Sequence, residues 1–207
     1  DGVAKVRGKA QFTDDLVLPG MVYGKIKASD IAHGRIKEIN FQRALELPGV
    51  LAVITGKDSP KPYSVNDILP TEYPLAFDKV RYHGEGVAAV AALDEETAEE
   101  ALALIEVTYE ELPVLLDPLE AMKRDDIRIH DFAENNTNHE ANQHIGDVDA
   151  SFEDSHVVVE NAFYSSYVQN GFLEPQSAIG DFDPGTGKLT IHHCNQLPHY
   201  MQRMVSR

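Results

Sequence analysis

Residues 82–113, YHGEGVAAVAALDEETAEEALALIEVTYEELP, decide the fold class of this chain. Residues 87–93 form a continuous run of small apolar side chains, the pattern of a strand buried on both faces. Asp94 follows with an N-cap oxygen, and Glu95 and Glu96 put negative charge at the positive end of a helix dipole. Ala98, Ala101, Leu102 and Ile105 recur at i, i+3, i+4 and i+7 and predict one apolar stripe. From Glu106 the period changes to alternation, with Val107, Tyr109 and Glu111 on one side of a second strand that Pro113 closes. This strand–helix–strand unit predicts an α+β (mixed α/β) fold. It carries no nucleophile, metal cluster or phosphate loop, so it explains folding and leaves function open.

A length of 207 residues with 43% hydrophobic content allows one or two domains with a real core. The formal net charge of −16 argues against nucleic acid and anionic membrane as partners, because both demand neutralisation of phosphates. A single cysteine, Cys194, excludes an internal disulfide framework and fits a reducing compartment, so a cytoplasmic location is expected. No apolar run approaches the roughly 20 residues of a membrane span; the residues from Asp1 onward lack the charged-then-apolar pattern of a secretory leader, though they start without a Met and so do not speak for the native N-terminus.

Outside the central stretch, alternation predicts a strand over 21–28, with Val22, Gly24, Ile26 and Ala28 on one side. A shorter strand–helix–strand follows over 36–55, with Asn40 as its cap and Pro48-Gly49 ending the helix. Residues 57–74 read as an exposed loop holding four of the eleven prolines. Residues 114–122 predict a turn and a short helix, and the polar residues 123–146 a linker broken by Asn135 to Asn138. Beyond Asp147 the sequence predicts a helical turn over 148–152 and strands over 157–168 and 172–182. A hairpin turn at Asp183-Pro184-Gly185-Thr186-Gly187, a return strand to 195 and a helix from Pro198 complete the chain.

Candidate chemistry is sparse. His139 and His144 are five apart in an Asn-rich segment, whereas a zinc-protease motif needs a spacing of four to bring both imidazoles to one helical face. On a strand, only His192 and Cys194 of His192-His193-Cys194 share a side, and no second cluster completes four ligands. No metal ligand set is therefore assigned. His83-Gly84-Glu85-Gly86 lacks the spacing of a phosphate loop and reads as a tight strand connection. Asn135-Asn136-Thr137 matches a glycosylation pattern by chance. Glu174-Pro175 and Asn195-Gln196-Leu197-Pro198 each set a polar side chain before a Pro in an apolar setting. A Gln at a strand end can both donate to and accept from a ligand oxygen, although a structural role fits as well.

Several stretches carry a family resemblance in their order. These are GKAQFTDDLVLPGMVYGKI, LPGVLAVITGKD, DKVRYHGEGVAAVAALDEETAEEALALIEVTYEELPVLLDPLEAM, GDVDASF, LEPQSAIGDFDPGTGKLTI and NQLPHY. Together they resemble the start of the large, molybdenum-binding subunit of the xanthine dehydrogenase/aldehyde oxidase family. YPLAFDKVRYHGEGVAAVAA and QLPHY look closest to the 4-hydroxybenzoyl-coenzyme A reductase branch. The resemblance implies an α/β-hammerhead domain over residues 1–122, a linker over 123–146 and the beginning of a molybdopterin-binding domain over 147–207.

It also implies a molybdenum–molybdopterin cofactor in the complete enzyme, with 2Fe–2S clusters and FAD on partner subunits or segments. The family's strand-end Gln, which hydrogen-bonds a molybdenum oxygen ligand, falls on Gln196. The substrate class implied is aromatic, heterocyclic or aldehyde-type. Two departures are visible. The family's Ser-Pro-His-Ala-His is Ser29-Asp30-Ile31-Ala32-His33 here, and the glycine-rich loop and glutamate base expected of a complete catalyst would lie beyond Arg207. The expectation is thus a piece of a longer subunit, with no catalytic residue of its own and no cofactor held by the piece alone. Its partners would be the remainder of the subunit and the iron–sulfur and FAD subunits. The alternative is a non-catalytic scaffold for those partners.

Overall fold

In the computed structural model, which describes residues 2–63 and 71–206, the apolar run becomes the central strand of an antiparallel sheet. That sheet has the order β1 (Tyr23–Ala28), β5 (Gly86–Ala92), β3 (Val50–Thr55). α3 (Glu95–Ala103) covers one face. Small side chains meet there: Ala88 and Val90 of β5 join Ala101, Ile105 and Ala44 in one buried cluster. Ala44 comes from α2 (Gln42–Leu45), the short helix before Pro48-Gly49.

Three features of the sheets go beyond or depart from the sequence reading. First, β6 (Glu106–Glu111) does not join the sheet of β5. It pairs with β2 (Gly34–Asn40), which also pairs with β4 (Lys79–Val80), giving a second antiparallel sheet of order β4-β2-β6. Both strand–helix–strand units therefore cross from one sheet to the other. Ala76, Val80 and Val87, packed by Ile36, Ile39 and Tyr109, form the second core cluster.

Second, past Val87, which the second cluster buries, β5 is sealed only toward α3. On its other side Ala89 and Ala91 are half-buried, and Leu93 is 59% exposed. Third, the alternating apolar residues of β1 sit on that open side, with Ile26 62% exposed. Lys25 and Lys27 take the helix side instead. Lys25 pairs with Glu95 and Glu99, and Lys27 Nζ donates to the Leu102 carbonyl at 3.1 Å. A lysine stem can cover apolar surface while its ammonium reaches acidic groups and helix-end carbonyls.

The His83 to Gly86 turn is a tight strand connection, with Gly84 at φ +94°. Ser29 N donates to the Glu85 carbonyl at 2.8 Å and Gly84 N to the Ser29 carbonyl at 2.9 Å. The loop expected over 57–74 falls in part, at 64–70, outside the described residues; Tyr63 and Glu72 on either side form a bridge. α1 (Gly2–Val6) and a 3-10 turn at Thr13–Asp15 precede β1.

After β6, α4 (Pro118–Ala121) starts at Asp117, whose Oδ1 accepts from the amides of Leu119 at 2.7 Å and Glu120 at 3.1 Å. α5 (Val148–Glu153) is capped in the same way by Asp147. The strand expected over 157–168 does not form. These residues make no ladder, and Phe163 and Tyr164 are 90% and 92% exposed. Alternation supplies the capacity for a strand, but a strand also needs a neighbour, and none pairs with it among the described residues. The following strand begins at Ala178 rather than Phe172. β7 (Ala178–Asp183) and β8 (Lys188–His193) form a hairpin whose turn is held by Asp183 accepting from Gly185 N and Thr186 Oγ1. α6 (Pro198–Val205) follows. No helix among the described residues is long and apolar enough to cross a membrane.

Candidate functional site

The open end of the β7–β8 hairpin brings together the two motifs that resisted a purely structural explanation. The last ladder pair is Ala178 with His193. Just beyond it, Cys194 Sγ lies 3.6 Å from the Pro175 carbonyl, so Glu174-Pro175 runs beside the Asn195–Pro198 segment. Asn195 Oδ1 accepts from Leu197 N and closes a turn with Gln196 at its tip. Pro198 then starts α6, where its fixed φ and missing N–H cost nothing. Gln196 is exposed, and its carboxamide has no partner among the described residues. The Ser177 hydroxyl at the same end is buried and unpaired. Between β8 and α6 runs a groove of about 630 Å³ lined by Leu189, Ile191, Met201 and Val205 among others.

This arrangement suits hydrogen bonding to a bound group rather than metal ligation. An amide offers two donors and an acceptor and no charge. Among the described residues no group of three or more His, Cys, Asp and Glu could hold a metal ion. His139 and His144 are exposed in a segment without secondary structure. His192 and Cys194 are half-buried and gather no further ligand.

A second polar cluster, around β4, was not found from the sequence. The Lys79 side chain is only 2% exposed, and its ammonium lies 2.8 Å from Asp131 Oδ1. Arg81 Nη1 donates to the Lys79 carbonyl at 2.8 Å, and Glu85 Oε2 accepts from Arg81 N at 2.6 Å. Burial pushes the Glu85 carboxyl above its usual range, partly opposed by the Arg81 amide and charge. The hydrogen bond from Lys79 holds Asp131 below its usual range. His130 is lowered by burial first and by the Arg81 and Lys79 charges next. The signal in the sequence was Lys79-Val80-Arg81 between apolar residues 75–77 and the run at 87–93, but nothing nearby in sequence names the partner of either cation.

Comparison with known proteins gives this geometry its context. Residues 7–113 match the aldehyde oxidase and xanthine dehydrogenase a/b hammerhead domain, and residues 129–207 the molybdopterin cofactor-binding domain. The chain belongs to the aldehyde oxidase and xanthine dehydrogenase family. It is 33% identical over 217 residues to the xanthine dehydrogenase molybdenum-binding subunit of Escherichia coli O157:H7, covering 100% of this chain and 28% of that protein. It is 37% identical to the carbon monoxide dehydrogenase large chain of Afipia carboxidovorans, covering 97% and 27%. The structure of quinoline 2-oxidoreductase from Pseudomonas putida 86 superposes with a TM-score of 0.83 at 29% identity, covering 99% of this chain and 27% of that one.

The mixed fold, with a hammerhead domain and the opening of a molybdopterin-binding domain, is that of molybdenum-cofactor oxidoreductases. The chain spans just over a quarter of the length of these relatives. Similar identities to enzymes named for xanthine and carbon monoxide do not single out one branch, and the 4-hydroxybenzoyl-coenzyme A reductase likeness gains no support from them.

Proposed function

We propose that this chain supplies the hammerhead domain (1–122), a connecting segment (123–146) and the opening of the first cofactor domain (147–207) of a molybdenum hydroxylase large subunit. The Gln196 carboxamide, held at the tip of the β8–α6 turn, donates a hydrogen bond to the molybdenum–molybdopterin cofactor. Bound there, the cofactor would supply the redox chemistry; Gln196 would orient it, and Asn195 and Pro198 would fix the turn that carries Gln196. The substrate would be aromatic, heterocyclic or aldehyde-type, and electrons would leave through 2Fe–2S and FAD centres on partner subunits in the cytoplasm.

The observation that carries this reading is an exposed carboxamide without a partner among the described residues, on a turn closed by Asn195, where the family's Gln motif falls. The test is Gln196→Ala in the full-length subunit, with turnover and bound molybdenum measured together. Turnover should fall at normal or reduced metal content. Unchanged turnover at normal metal content would sink the assignment.

A second reading, a non-catalytic scaffold for the iron–sulfur and flavin subunits, is favoured by the open apolar side of the β1-β5-β3 sheet. Gel filtration of mixtures with those subunits tests it, and the absence of any complex removes it.

A further inference from the structure

The buried ammonium of Lys79 spends its hydrogen bonds on a segment that the hammerhead match does not include. Its partners are Asp131 Oδ1 at 2.8 Å and the Arg128 carbonyl at 3.2 Å. Both lie beyond residue 113, where the hammerhead match ends, and Asp131 lies inside the cofactor-domain match that begins at residue 129. A buried ammonium without partners is strongly unfavourable, so β4 is incomplete without residues 128–131.

The segment is itself shaped to present those partners. Asn136, at φ +53°, accepts from Ile129 N through Oδ1 at 2.9 Å. Its Nδ2 donates to the carbonyls of Ala121 at 3.0 Å and of Arg124 and Ile127 at 2.9 Å. Ala133 is buried, and Arg128 pairs with Asp125. The loop is thus wound around one carboxamide and fastened to the sheet by one ion pair.

We propose that Lys79 is a pin that latches residues 121–136 onto β4 and so couples the hammerhead domain to the entrance of the cofactor-binding domain. The pin is independent of Gln196, and the two assignments stand or fall separately. It turns the first half of a polar connector into part of the hammerhead's closed surface. The cation of the pair is enclosed while its carboxylate stays largely open.

The experiment uses the full chain and its variants Asp131→Asn, Lys79→Met, the double variant of these two, and Asn136→Ala. The readouts are native-state trypsin cleavage at Lys123, Arg124 and Arg128, and amide hydrogen exchange over 121–136 and over β5. Asp131→Asn keeps the side-chain volume at a mostly exposed position, so the sheet should stay intact. Cleavage within 123–128 should accelerate about tenfold or more and exchange over 129–136 should quicken, with β5 protection unchanged. The double variant should open the loop no further than Lys79→Met alone, because both remove one interaction. If Lys79→Met loses β5 protection as well, Asp131→Asn decides. Unchanged cleavage and exchange in Asp131→Asn, with release only in Asn136→Ala, would overturn the pin and leave the loop to its own turn.

Discussion

Asp94 Oδ1 lies 2.8 Å from the amide of Thr97, and this one bond starts the helix that covers the central strand. The same corner holds the neighbouring turn: Leu93 N donates to the Gly49 carbonyl at 2.9 Å, and a Cβ on Gly49 would meet Thr97 Cγ2 at 3.2 Å. The cap therefore orders two connections at once. Asp94→Ala should lower the thermal midpoint at neutral pH, and Asp94→Ser should recover most of the loss because it retains an acceptor. The Thr97 amide holds the Asp94 carboxyl below its usual range. A depressed carboxylate contributes stability above its unfolded pKa and loses it as pH falls through the folded value. The gap between wild type and Asp94→Ala should accordingly narrow in acid, and a gap constant with pH would refute the cap's charge dependence.

Gly56 marks where β3 meets the chain entering β4. A Cβ there would stand 2.4 Å from the Ala76 carbonyl oxygen and 2.8 Å from Phe77 Cα, both backbone atoms that cannot swing away. Gly56→Ala should cost about 1–3 kcal/mol in urea unfolding, the usual range for forced overpacking. Gly24→Ala is the control, since its Cβ would meet only the Val90 carbonyl at 3.8 Å; it should stay within about 0.5 kcal/mol. Equal effects at the two glycines would contradict the packing.

What the sequence made legible was local. β5, the Asp94 cap and the Asp183–Gly187 turn depend on neighbours within a few residues, and each formed where expected. What it hid depends on distant partners. Nothing near β6 says that it will leave the sheet of β5, because its partner Ile36 lies far away in sequence. Lys25, Lys27 and Lys79 drew no assignment from the sequence, yet each is committed to a group 52 to 75 residues away. Residues 157–168 have strand composition and no strand, because composition does not provide a neighbour. Gln196 stood out as a polar residue before a Pro, but its role came only from motif order; the structure adds that its carboxamide has no partner among the described residues and that Pro175 lies beside its segment.

Glu85 predicts an unusual pH response. Its carboxyl is raised chiefly by burial, so protonation is easier in the folded state than in the unfolded chain. A group with a raised folded pKa contributes stability below its unfolded pKa and loses it as pH rises through the folded value. Glu85→Gln keeps an acceptor for Arg81 N and cannot ionise. Relative to wild type, the variant should gain stability as pH rises from the ordinary glutamate range toward neutrality. Denaturation midpoints across that range check this, and a gain that instead grows toward acid would show that the Arg81 charge outweighs burial.

His33 closes the β1–β2 connection, and its environment fixes which nitrogen carries a proton. Its Nδ1 lies 2.7 Å from the Pro113 carbonyl, and a carbonyl can only accept, so Nδ1 is the donor. The ring is 3% exposed, and Nε2 is buried without a partner. The bond ties the start of β2 to the residue that ends the central stretch, alongside Leu112 N donating to the His33 carbonyl at 2.9 Å. In this chain, where Asp30 and Ile31 stand in place of a Pro and a His, the remaining histidine thus has a packing role. His33→Ala should cost about 2 kcal/mol, combining a lost hydrogen bond and a cavity. His33→Asn, whose Nδ2 can occupy the place of Nδ1, should recover part of that loss. Nitrogen chemical shifts of the ring in the wild-type chain should show a proton on Nδ1, and an Nδ1 without one would contradict the bond to Pro113.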